Sequence, residues 1–114
     1  MNLKRTEKPW GYEVLWAETD KYVGKILFIK KGNRLSYQYH EIKEESFYLA
    51  QGVMEFEYEN QGNRKQQTLN AGDNFHIPPL MKHRMIAKED CTVFEVSTPF
   101  LDDLVRLEDE YGRV

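Results

Sequence analysis

In the stretch Val53-Met54-Glu55-Phe56-Glu57-Tyr58-Glu59, apolar or aromatic side chains alternate with acids from Met54 onward. A period of two puts neighbouring side chains on opposite faces, so this segment is a half-buried β-strand and not a helix. The rest of the chain repeats that signal in short pieces. Trp10–Ala17 is rich in aromatic and β-branched residues, and Val23–Lys30 is a short apolar run without helix caps. Further strands are predicted over Arg34–His40, Glu45–Gln51, Arg64–Leu69, Asn74–Ile77, His83–Lys88 and Thr92–Ser97. Asn60-Gln61-Gly62-Asn63 and Ala71-Gly72-Asp73 are turn clusters, and Pro78-Pro79 stops a strand. About eight or nine short strands with this punctuation fold as an all-β sandwich or barrel. After Pro99 the character changes. Asp102–Tyr111 opens with acids and carries Leu104, Val105 and Leu107, which reads as a short helix or an ordered tail.

A chain of 114 residues is expected to form a single domain, with the barrel over 10–98 and the tail over 99–114. The net charge of -3 offers no general attraction to nucleic acid or to anionic membranes. Cys91 is the only cysteine, so no intrachain disulfide can form, and a lone thiol fits a reducing compartment. The first nine residues lack an apolar core of signal-peptide length. No run approaches the roughly 20 apolar residues of a membrane span. The expectation is a soluble, cytoplasmic protein.

The chemistry concentrates in two segments. Gln38 and His40 are two apart, so on a strand they share a face. Glu45 and His83 can join them if the chain closes into a barrel. Two imidazole nitrogens and two oxygens suit a divalent Zn, Mn, Fe, Co or Ni ion better than a thiol-loving metal. Gln38 is the weakest of the four, because a neutral amide oxygen binds less firmly than imidazole. His76 stands two residues before Pro78 and titrates in the range of a general acid or base. Lys82 precedes His83 and is a second candidate for proton transfer. Lys43, Arg84, Arg106 and Arg113 are candidates for a phosphate or sugar-hydroxyl clamp, since arginine suits bidentate anion binding. Glu41, Glu44, Glu55, Glu57 and Glu59 read as a solvated acidic face.

Several motifs resemble the cupin superfamily, and specifically the type II phosphomannose isomerase domain, found alone or at the C-terminus of mannose-1-phosphate guanylyltransferases. Lys8-Pro9-Trp10-Gly11 is similar to that family's opening Arg/Lys-Pro-Trp-Gly. Leu35-Ser36-Tyr37-Gln38-Tyr39-His40 resembles its Leu-Ser-Leu-Gln-Met-His segment, and Ile77-Pro78-Pro79 with His83-Arg84 its second motif. Asp103–Arg113 resembles its C-terminal Asp-Ile-Val-Arg-Phe-Glu-Asp-x-Tyr-Gly-Arg. The resemblance implies a jelly-roll barrel with a metal inside, held by Gln38, His40, Glu45 and His83. It also implies a homodimer, and a role for Tyr111 against a sugar face. Two departures stand out. The family's His-His-Arg-Ala-Glu-His run is Glu41-Ile42-Lys43-Glu44-Glu45-Ser46 here, and its Pro-x-Gly is Pro78-Pro79-Leu80.

The function that follows is a metal-dependent aldose–ketose isomerase for a sugar phosphate such as mannose 6-phosphate. The altered run at Glu41–Ser46 motivates a second reading, a non-catalytic cupin that binds a sugar or sugar phosphate. An iron-dependent oxygenase on the same barrel is a third.

Overall fold

The computed structural model describes residues 3–114. Eleven strands are present: β1 (Lys4–Lys8), β2 (Gly11–Glu18), β3 (Val23–Ile29), β4 (Tyr37–Tyr39), β5 (Glu45–Gln51), β6 (Val53–Asn60), β7 (Asn63–Asn70), β8 (Asn74–Ile77), β9 (His83–Ala87), β10 (Cys91–Ser97) and β11 (Val105–Glu108). No helix occurs among the described residues. They form two antiparallel sheets, ordered β1-β2-β3-β10-β5-β8 and β11-β4-β9-β6-β7. The inner faces pack on each other as a jelly roll, the all-β barrel expected from the strand pattern.

The strands obey the period-two rule closely. In β6, Met54 and Phe56 are fully buried while Glu55 and Glu57 alternate with them on the other face. These residues join Leu27, Ile29, Phe47, Leu49, Leu69, Ile77, Met85 and Val93 in one core. Phe47, Phe56, Tyr58 and Phe75 pack in stacked and tilted pairs with ring centroids between 4.6 and 6.3 Å apart.

Toward one end of the barrel the inward residues turn from apolar to polar. Along β10 the inward series is Cys91, Val93, Glu95, Ser97, and along β5 it runs back through Leu49 and Phe47 to Glu45. In β9 it is Ala87, Met85, His83. The core is therefore dry at one end and ionic at the other.

The tail is a strand and not a helix. β11 pairs antiparallel with β4, setting Arg106 against Gln38 and Val105 against Tyr39. Its apolar residues pack where a sheet edge offers backbone partners, and this tertiary pairing overrides the weak helical pattern. β1 escaped the sequence reading because Lys4–Lys8 has no apolar alternation. It is an edge strand, held by backbone pairing to β2.

Gly11 shows why the Trp-Gly pair at the head of β2 cannot be changed freely. A Cβ at this position would lie 1.9 Å from the Phe28 carbonyl oxygen. At the Pro78-Pro79-Leu80 turn, Leu80 adopts φ 72°. The left-handed turn is thus kept without glycine, and Leu80 N–H donates to the His40 carbonyl at 2.7 Å.

Candidate metal centre

β4, β5 and β9 bring three candidate ligands together at the polar end of the barrel. His40 follows β4, Glu45 opens β5, and His83 opens β9. All three are buried, and each offers a ligand atom within 4.8 Å of the others. Glu45 Oε1 lies 2.9 Å from His40 Nε2 and 3.4 Å from His83 Nε2.

The outer nitrogens of the two rings decide what the inner ones can do. His40 Nδ1 lies 2.6 Å from the Asp103 carbonyl, and His83 Nδ1 lies 2.9 Å from the Met81 carbonyl. A carbonyl only accepts, so each Nδ1 carries a proton and donates. A neutral ring with its proton at Nδ1 presents a lone pair at Nε2. Two such lone pairs and a carboxylate cannot face each other at these distances without a cation between them. A divalent metal meets that need, and backbone acceptors behind the imidazoles fix their tautomers for it. The donor set of two nitrogens and a carboxylate oxygen suits Zn, Mn, Fe, Co or Ni.

When protons take the place of a metal, they sit on Nε2. Burial pushes the Glu45 carboxyl up, but hydrogen bonds from His40 and His83, helped by the Lys43 charge, hold it well below the usual carboxylate range.

Gln38 stands beside this cluster. It is the direct cross-strand neighbour of His83, and its Oε1 accepts from the Ser36 hydroxyl at 2.6 Å. An amide oxygen still has a second lone pair to offer.

A cavity of about 500 Å³ opens over the cluster. Gln38, His40, Lys43, Glu45, Arg106 and Arg113 all line it. His83 lies behind, in a smaller hollow shared with Gln38, Glu45 and Glu95. Lys43 Nζ is 3.6 Å from Glu45 and 3.9 Å from Glu95.

Two residues proposed for proton transfer lie elsewhere. His76 lies beside Ile77, the β8 partner of buried Glu45, so alternation turns His76 to the outer face. It is exposed there, with Nε2 2.6 Å from Glu44. Lys82 is one residue from His83 and points away by the same rule, with Nζ 3.6 Å from Glu59. Neither lines the cavity.

One clamp candidate, Arg84, and the sugar-face candidate Tyr111 are also engaged otherwise. Arg84 is buried and donates to the Leu35 and Glu108 carbonyls, so its fork ties β9 to the tail. Tyr111 packs on the core, and its hydroxyl donates to the Arg34 carbonyl at 2.9 Å. It does not line the cavity.

Glu95 is the site residue that the sequence reading missed. It is buried in the wall against Glu45, and burial together with the Glu45 charge pushes its carboxyl up to about 8. The signal was the phase of Thr92–Ser97. Phe94 and Val96 are exposed, which leaves Glu95 facing inward.

Asp103 supports the site from the tail. Its carboxylate accepts the backbone N–H groups of Glu41, Ile42 and Lys43 at 2.8–2.9 Å. The same residue thus holds the loop between β4 and β5 and orients the His40 ring.

Comparison with known proteins places this architecture. No curated protein matches the chain. Among solved structures, KdgF from Halomonas sp. is similar with a TM-score of 0.75 and 23% identity, over 87% of this chain and 88% of that one. The capsular polysaccharide assembling protein CapF from Staphylococcus aureus matches with a TM-score of 0.83 and 16% identity, over 95% of this chain and 32% of that one. Bacillus subtilis oxalate decarboxylase, described with Mn(II) centres, matches with a TM-score of 0.80 and 15% identity, over 93% of this chain and 30% of that one. The chain therefore spans about a third of the length of the latter two. The Cupin domain family model matches residues 26–97, and the chain belongs to the cupin family.

Proposed function

We propose that this cupin is a metal-dependent aldose–ketose isomerase for a phosphosugar of the mannose 6-phosphate type. One observation carries the reading. Two imidazoles and a carboxylate converge at the inner end of a polar cavity of about 500 Å³. His40, Glu45 and His83 would hold the metal, with Gln38 beside them. Bound there, a divalent ion supplies Lewis-acid polarisation of adjacent sugar oxygens.

The chain's own residues supply the remainder. Glu95 lines the cavity outside the ligand set and is buried against Glu45, so it replaces His76 and Lys82 as the candidate proton carrier. Lys43 lies within ion-pair distance of both Glu45 and Glu95 and holds the two carboxyls in place. The buried cavity floor excludes bulk water from a carbon-to-carbon proton transfer.

The test couples metal analysis to a mannose 6-phosphate isomerisation assay. Near-stoichiometric metal and chelator-sensitive turnover support the proposal, with Glu95→Gln lowering kcat by at least about 100-fold. No turnover by fully metallated protein sinks it.

A non-catalytic sugar-binding cupin is the second reading. The engagement of Lys43 by both acids favours it, since it leaves that cation partly satisfied before any ligand arrives. Ligand-induced stabilisation without turnover would select this alternative. A homodimer in a cytoplasmic setting completes the proposal. It is supported by the outer face of the β1–β8 sheet, where Trp16, Tyr48, Phe94 and Val96 are each between 44% and 52% exposed.

A further inference from the structure

We propose that Arg106 is the receptor for an anionic group of the ligand, a carboxylate or a phosphate monoester, held at the far side of the cavity from His83. The inference rests on the cavity being a ligand site, as argued above, and specifies what that ligand must carry.

Register places the residue. Arg106 pairs with Gln38 across β11 and β4, and Gln38 pairs with His83 across β4 and β9. The three therefore form one row across the sheet. Two strand spacings separate Arg106 from His83, roughly 10 Å between backbones. A ligand touching the ligand cluster at one end and Arg106 at the other must be several bonds long.

Partnering singles Arg106 out. Among the described residues, Arg5, Arg34, Arg64, Arg84 and Arg113 each have a carboxylate partner. Arg106 has none, and its Nε is buried without any hydrogen-bond partner. A guanidinium N–H removed from water and left without an acceptor is rare in folded proteins. Arg106 as a residue lines the cavity.

Its surroundings sharpen the point. Arg113 lines the same cavity, with its Nε and one terminal nitrogen locked on Asp109 at 2.8 Å. Lys4 and Lys8 of β1 line it from the opposite sheet. Cations from both sheets thus line the cavity, together with the acids Glu13, Glu45, Glu95 and Asp102. Burial first, and then the adjacent Arg113 charge, make the Arg106 cation less favourable than usual. An anion relieves both costs. A planar fork fits carboxylate or phosphate oxygens in bidentate fashion.

Inorganic phosphate and acetate are the probes, titrated by calorimetry into the full chain with metal loaded and again after chelation. Wild type is expected to bind at least one of them in both states. Arg106→Gln is expected to weaken that binding at least tenfold, Arg106→Lys by less, and Arg5→Gln not at all. Preference for phosphate assigns a phosphate monoester, and preference for acetate assigns a carboxylate. A second readout needs no variant: the Arg106 Nε–H signal in ¹⁵N NMR should shift as the bound anion saturates. Anion binding that requires the metal and survives Arg106→Gln overturns the proposal, as does a silent Nε–H signal or no binding of either anion. Because the readout is anion binding and not turnover, an inactive isomerase that still passes this test loses only the catalytic reading.

Discussion

Leu80 and Asp109 show how single residues carry measurable consequences. At φ 72° Leu80 occupies backbone space that glycine enters freely, and a branched side chain there costs about 1–2 kcal/mol. The side chain is 64% exposed, so little packing offsets the cost. Leu80→Gly should therefore stabilise the protein, by about 0.5–1 kcal/mol after the glycine's entropy penalty. A urea midpoint that falls on substitution would contradict this. For Asp109, a bidentate ion pair with Arg113 lowers the carboxyl from 3.8 to about 2. A depressed carboxyl contributes stability above its unfolded value and loses it as pH falls through its folded value. Asp109→Asn should then melt below wild type at pH 7, with the gap closing toward pH 2. A gap that stays constant across that range would show that the charge is not what matters.

Most individual strands were readable because alternation and turn residues agree. β5 and β8 begin and end where the pattern puts them, at Glu45–Gln51 and Asn74–Ile77. β4 is shorter than read, since only Tyr37–Tyr39 pairs as a strand while Arg34 makes an isolated bridge to Ile86. The clustering of His40, Glu45 and His83 was legible because His40 lies close after β4 while Glu45 and His83 head two further strands. His76 and Lys82 were misplaced because nearness in sequence is not sharing a face: each sits one residue from an inward-facing neighbour. β11 was hidden because its pairing partner, β4, is more than sixty residues away. What secures this strand is side-chain anchoring. Arg64 reaches from β7 to Glu57 and Glu108 while its guanidinium lies 3.9 Å from the centre of the Tyr37 ring. Tyr111 then pins the following turn to Arg34. Tyr111→Phe removes that hydroxyl bond and should cost about 1 kcal/mol, measurable by thermal or urea denaturation. An unchanged stability would mean that ring packing alone holds the tail.

At the scale of the whole molecule, a dry core and an ionic cavity share one barrel, and the ligand cluster joins both sheets. Glu45 belongs to the β1–β8 sheet, while His83 belongs to the other. A cation held by both ties the two layers together in the folded state and has no comparable site when the chain unfolds. Metal loading at 100-fold above its dissociation constant should raise stability by about 2.7 kcal/mol. Differential scanning calorimetry with and without chelator measures it. Loading should also release protons, because Nε2 must give up its proton to bind; the heat of binding should then vary with the ionisation enthalpy of the buffer. Buffer-independent heats would show that Nε2 was already free.

The double engagement of Asp103 gives the short link between barrel and tail unusual leverage. Every β10 hydrogen bond lies upstream of it, while the carbonyl behind His40 and the Arg106 side chain lie downstream. Phe100, exposed in that link, is an accessible cleavage point for a chymotrypsin-like protease. A single nick there would leave the barrel's main ladders joined but uncouple the segment that aims its chemistry. The proposed ligand site would then be lost before the fold, and a degraded sample could pass as intact by circular dichroism.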